Sequence, residues 1–126
     1  MYCGAWRGAR APLGSRLFMA LHLIKLCVGV DEVGELADWC RTKRRPIVHT
    51  RQTPKRAEEI LDGGSLFWVI KGQILVRQPI VAITTIEEGQ TARCEIEIAQ
   101  TPILTAPQGR RPFQGWRYLT AEDAPS

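Results

Sequence analysis

Across these 126 residues there is no C-x-x-C pair, no H-E-x-x-H, no glycine-rich phosphate loop and no Ser-His-Asp set. Their absence removes the recognised zinc, metalloprotease, nucleotide-loop and hydrolase signatures. Only two histidines are present, His22 and His49, and neither pairs with a cysteine at ligand spacing, so no metal and no cofactor are expected. No apolar run approaches the roughly 20 residues of a membrane span, so the reading is a soluble protein with no membrane partner. Internal repeats and low-complexity tracts are also lacking.

What is present fits one globular domain. The chain is 44% hydrophobic and 24% charged, ordinary values for a single core. The formal net charge of +4 is concentrated at the start. Residues 1–18 carry Arg7, Arg10 and Arg16 and no acid, leaving the rest nearly neutral. This first segment has neither helical nor strand period, and no uninterrupted signal-peptide core follows it. It reads as a disordered arm or as an upstream start ahead of Met19, with residues 19–126 forming the domain.

Cys3, Cys27, Cys40 and Cys94 are scattered. Cys27 and Cys94 fall in strand patterns and Cys40 on a helix stripe, which suits small core residues in a reducing cytoplasm. Cys40 alone has basic neighbours, Arg41 and Lys43, of the kind that activate a thiolate.

Thr53 to Gly72, TPKRAEEILDGGSLFWVIKG, is the clearest structural signal. Thr53 is expected to cap a helix with Pro54 at its first position. Ala57, Ile60 and Leu61 form its apolar stripe, and Gly63-Gly64 stop it. The pair follows the negative end of that helix, so it does not suit an anion site. Leu66 to Ile70 then reads as a strand buried on both faces.

Before it, Leu21 to Val30 alternates as a strand with Ile24, Leu26 and Val28 on one face and Lys25 on the other. Asp31 is expected to cap a helix bearing Val33, Leu36, Ala37 and Cys40 inward. After it come Gln73 to Arg77, a bulge or edge forced by Pro79, Ile80 to Ile83, a turn at Glu87 to Gln90, and the alternating strand Arg93 to Ile98. Pro102, Pro107 and Pro112 exclude a long helix, and Trp116 to Leu119 suits a closing strand. The fold class is α+β: a small, curled, mainly antiparallel sheet or partial β-barrel with two helices.

Three features bear on chemistry. Arg110 to Tyr118 interleaves arginines with Phe113, Trp116 and Tyr118, a pattern that suits phosphate contact with base stacking and equally suits core aromatics beside solvated arginines. Arg41 to Arg56 holds seven Lys or Arg and no acid, and could line one positive rim. Lys71 closes an apolar strand, where desolvation would let it act as a base or anchor, with Glu58 or Glu59 as partner.

The segments HLIKLCVGVDEVGELADW, PKRAEEILDGGSLFWVIKG, VRQPI and RRPFQGWRYLTAEDAP together resemble the bacterial family known as domain of unknown function 1489. The resemblance spans nearly all of residues 20–126, and it implies no activity. A weaker fold-level analogy is to the small RNA-binding barrels called PUA-like, including the ASCH group, in which a short helix ending in glycine leads into a strand with a basic residue near a cleft.

The first functional expectation is a non-catalytic module binding RNA or a nucleotide-like ligand through Lys55, Arg56, Lys71, Arg77, Arg111, Trp116, Arg117 and Tyr118. Two others stand beside it. One is a small hydrolase of a modified nucleoside using Lys71 with Glu58 or Glu59. The other is an interaction module with an apolar patch around Trp39 or Phe113.

Overall fold

The computed structural model describes residues 20–126, so the expectations for residues 1–18 and for Cys3 lie outside the described residues. Seven strands and two helices follow in the order β1 (Leu21–Leu26), α1 (Val33–Arg41), β2 (Ile47–Thr50), α2 (Ala57–Leu61), β3 (Ser65–Ile70), β4 (Gln73–Glu88), β5 (Thr91–Ile98), β6 (Ile103–Gly109) and β7 (Trp116–Thr120). They build one mixed sheet in the order β2-β5-β4-β3-β1-β7, with β6 also on β4. Only β1 and β3 pair in parallel, Leu23 opposite Leu66. The architecture is the expected α+β fold with a curled, open sheet. No helix among the described residues is long and apolar enough to cross a membrane.

Strand β4 organises the curl. Its first half pairs with β3 and β6, its second half with β5. Two register shifts bend it. Trp68 opposes Val76 while Val69 opposes Ile74, so Leu75 is the extra residue and the strand changes which side chains face inward. The second shift leaves Val81 between Ile80 and Ala82. Pro79 thus sits within a continuous strand opposite Ser65, and the bulge it was expected to cause falls two residues later.

The main core lies inside the curl, where Leu36 and Cys40 of α1 and Ala57, Ile60 and Leu61 of α2 meet Leu21, Leu23, Leu66, Ile70, Val76, Ile83, Ile96 and Ile98. A smaller cluster, Ile24, Phe67, Val69, Ile74 and Leu119, lies on the opposite face of the sheet, with Phe113 packed on it. Strand β3 serves both clusters, which is why all six of its residues are buried.

Four local expectations are corrected. Helix α2 begins at Ala57 with Arg56 as its cap and no side-chain cap, because the Thr53 hydroxyl bonds that of Thr85 at 2.8 Å instead. Helix α1 is capped at Glu32 rather than Asp31; the Asp31 backbone N–H donates to the Glu35 carboxylate at 3.1 Å. Strand β1 stops at Leu26, leaving Val28 exposed. Lys71 leaves the strand and, with φ +50 beside Gly72 at +80, makes a two-residue hairpin turn of the kind whose twist matches antiparallel strands.

Candidate functional site

The curl brings the two edges of the sheet path toward each other. The Trp116 indole N–H at the start of β7 donates to the Gln52 carbonyl, just past β2, at 2.9 Å. Between them lies an open cleft of about 550 Å³ lined by Lys25, His49, Thr50, Arg51, Gln52, Gln114, Gly115, Trp116 and Arg117. Its walls contain three fixed cations and no carboxylate.

Lys25 occupies the floor for a reason that begins with strand register. It lies opposite Trp68 on β3 and opposite Trp116 on β7, and residues in register share a face of the sheet. By alternation that face is the one carrying Leu21 and Leu23, both in the main core. The lysine therefore ends a core row, between two tryptophans, where the core opens into the cleft. Its ammonium makes no hydrogen bond or ion pair among the described residues, and neither does the Arg51 guanidinium.

Arg117 is placed differently. Its guanidinium donates to the carbonyls of Gln114 at 3.1 Å and Trp116 at 3.3 Å and lies over the Phe113 ring, 5.4 Å from its centroid. These contacts orient it while leaving its charge unneutralised. On the other face of β7, the Trp116 and Tyr118 rings meet edge to face at 4.9 Å, a favourable arrangement of ring quadrupoles. The Arg56 guanidinium sits 5.6 Å from the Tyr118 centroid, and the Arg56 backbone N–H donates to the Tyr118 hydroxyl at 3.2 Å.

A second chamber of about 320 Å³ adjoins this cleft and shares Lys25 and His49 with it. Its other walls include Val30, Leu36, Trp39, Ile47 and Trp68. The His49 ring is 3.7 Å from a Glu95 carboxylate oxygen, so one acid stands behind the junction.

The residues named from the sequence separate into three groups. Trp116 and Arg117 line the cleft, and Lys55, Arg56 and Tyr118 lie on the adjoining segment and strand, Arg56 being paired with Glu59 at 2.8 Å. Arg77 lies away from it, bonding the Ser65 hydroxyl at 2.9 Å beside His22. Lys71 and Arg111 are exposed and line neither chamber. The expected pairing of Lys71 with Glu58 or Glu59 is absent among the described contacts: Lys71 sits in a hairpin turn, Glu58 is exposed, and both Glu59 oxygens face Arg56.

The single positive rim is also corrected. Arg41 pairs with Asp38, Arg45 with Glu97 at 2.7 Å and Arg56 with Glu59, so much of that run is neutralised and Arg51 alone of it reaches the cleft. Lys25 and His49 were not singled out from the sequence. The alternation puts Lys25 on the face opposite Ile24, Leu26 and Val28, and the signal that this face is the core is its phase with Leu21 and Leu23.

The cysteines take the core reading. Cys27, Cys40 and Cys94 are buried and free. Burial pushes the Cys27 thiol up to about 11 and raises those of Cys40 and Cys94, which removes the thiolate that nucleophilic chemistry needs. The Gln78 amide, fully buried, donates to the Cys40 sulfur at 3.2 Å and the Ala99 carbonyl at 2.8 Å, and accepts from the Trp68 indole at 2.8 Å. No group of three metal-ligating side chains occurs among the described residues.

No curated protein and no solved structure matches the chain. Residues 23–126 match the family described as Protein of unknown function (DUF1489). That match covers most of the chain and agrees with the motifs from HLIKL to the C-terminal segment, so the protein belongs to this family.

Proposed function

We propose that the protein is a non-catalytic module that binds RNA or a nucleotide-like phosphate ligand in the cleft between the edges of its sheet. One observation carries the reading: three cations without an ion pair among the described residues, Lys25, Arg51 and Arg117, line the same cleft as Trp116, with no carboxylate in the lining. Cations hold phosphate and an indole offers a stacking face, the combination used by proteins that bind single strands.

The test is fluorescence anisotropy with a short labelled single-stranded RNA at low and high salt. Binding at low salt that weakens as salt rises is expected, with the slope reduced by about 1 for each phosphate-contacting cation removed, as in Arg51→Ala. Absence of binding at low salt, or unchanged affinity in the Arg51→Ala/Arg117→Ala double variant, refutes the proposal.

A further inference from the structure

The cationic cleft and the apolar chamber share two lining residues, Lys25 and His49. A ligand that fills both has one apolar ring and one anionic group, set apart by the distance from the chamber wall to Lys25. Both volumes, about 550 and about 320 Å³, fall in the ~300–1,000 Å³ range of small-molecule sites. The smaller one suits a single ring system.

The chamber favours an aromatic ring carrying hydrogen-bond acceptors over an alkyl chain. Trp39 and Trp68 supply aromatic walls. The Trp68 indole N–H is already committed to Gln78 at 2.8 Å. The Trp39 indole N–H makes no hydrogen bond among the described residues, so it is free to donate to an acceptor on a ring, which an alkyl chain does not offer. Lys25 lines both cavities and would meet the anionic group where they adjoin, with Arg51 and Arg117 in the lining of the larger one.

We infer that the site takes one nucleotide at a time, a nucleoside monophosphate or the terminal nucleotide of a strand, with its base in the chamber walled by Trp39 and Trp68 and its phosphate at Lys25. This rests on the cationic cleft being a phosphate site, and it adds the recognition of a base. Trp116, whose N–H holds the Gln52 carbonyl at 2.9 Å, ties together the two sheet edges that carry Arg51 and Arg117.

Isothermal titration calorimetry of the full chain with the four common nucleoside 5′-monophosphates, ribose 5-phosphate and inorganic phosphate tests this. At least one nucleoside monophosphate is expected to bind about tenfold or more tightly than ribose 5-phosphate, a gap of ~1.4 kcal/mol. Val30→Trp fills the chamber from a loop and should erase that advantage while leaving ribose 5-phosphate affinity unchanged. Trp39→Leu, at an exposed helix position, gives the same readout should Val30→Trp fail to fold. If ribose 5-phosphate binds and no nucleoside monophosphate exceeds it, base recognition is overturned and the phosphate cleft stands. If none of the phosphates binds and RNA does not bind either, the cleft reading falls and the inference falls with it.

Discussion

Replacing Gly64 with alanine should be among the most damaging single-methyl changes in the protein. A Cβ at this position would stand 2.2 Å from the Leu21 carbonyl oxygen and 2.4 Å from that of Ile60, where non-bonded contact needs roughly 3.5 Å. Both neighbours are backbone, one in β1 and one in α2, so neither can swing aside as a side chain would. The glycine also donates to the Ile60 carbonyl at 2.7 Å and accepts from the Ile80 N–H at 3.0 Å, which ties the end of α2 to β4. Relief by about 1 Å of movement combines overpacking of roughly 1–3 kcal/mol with weakening of two backbone hydrogen bonds at ~1 kcal/mol each. The expected loss is therefore about 3–5 kcal/mol, a large part of the roughly 5–15 kcal/mol available to a domain. Urea unfolding followed by tryptophan fluorescence measures it. Gly29→Ala is the control: its φ of +78 strains an alanine, but nothing lies within 4 Å, so about 1–2 kcal/mol is expected. A Gly64→Ala loss no greater than the Gly29→Ala loss would refute the close-approach argument.

The His22 ring is buried and accepts the Ser65 N–H at 2.9 Å, and desolvation, with Arg77 adding to it, lowers its pKa to about 4. The folded state therefore prefers the neutral ring, so stability is complete above the unfolded value near 6.5 and falls as pH drops toward 4, by at most ~1.4 kcal/mol per pH unit; urea midpoints between pH 7 and 4 should show this slope in the wild type and lose it in His22→Asn. Trp68→Phe leaves the fully buried Gln78 carbonyl oxygen without its donor and should cost about 1–3 kcal/mol in the same assay, and an unchanged midpoint would refute the network. Lys25→Met keeps the apolar stem and removes the charge, so thermal melting should show stability unchanged or raised by up to ~1 kcal/mol while RNA affinity, read by anisotropy, falls about tenfold; a clear loss of stability would mean that the lysine is structural.

Most of the fold was legible because its signals are local. The six buried residues of β3, the glycine stop of α2 and the alternation of β5 each follow from the chemistry of a few adjacent positions. The caps were misread where a distant partner competed: Thr53 finds Thr85, 32 positions away, and no local pattern reports that contact. The bulge at Leu75 lay beyond reach for the same reason, since a register shift belongs to two strands and not to one. The site was half legible. Trp116 and Arg117 stood out through their spacing, whereas Lys25 and His49 acquire meaning only once β1, β2 and β7 converge. Lys71 drew attention as a lysine closing an apolar strand, yet the Gly72 that follows it marks a turn, and the turn carries it into solvent.

The lysine in the site is thus the one that interrupts a core row. On β1, Leu21 and Leu23 are only 6% and 0% exposed, and continuation of that row by a third leucine would close the gap between Trp68 and Trp116 at no polar cost. A lysine there spends side-chain entropy and forgoes apolar burial without gaining an ion pair in return. Arg45 on Glu97 and Arg56 on Glu59 show that this chain does pair cations when structure alone is at stake. A charge held without an ion pair at the mouth of the core, in a cleft that Arg51 and Arg117 also line, is the charge that the proposed anionic ligand would compensate.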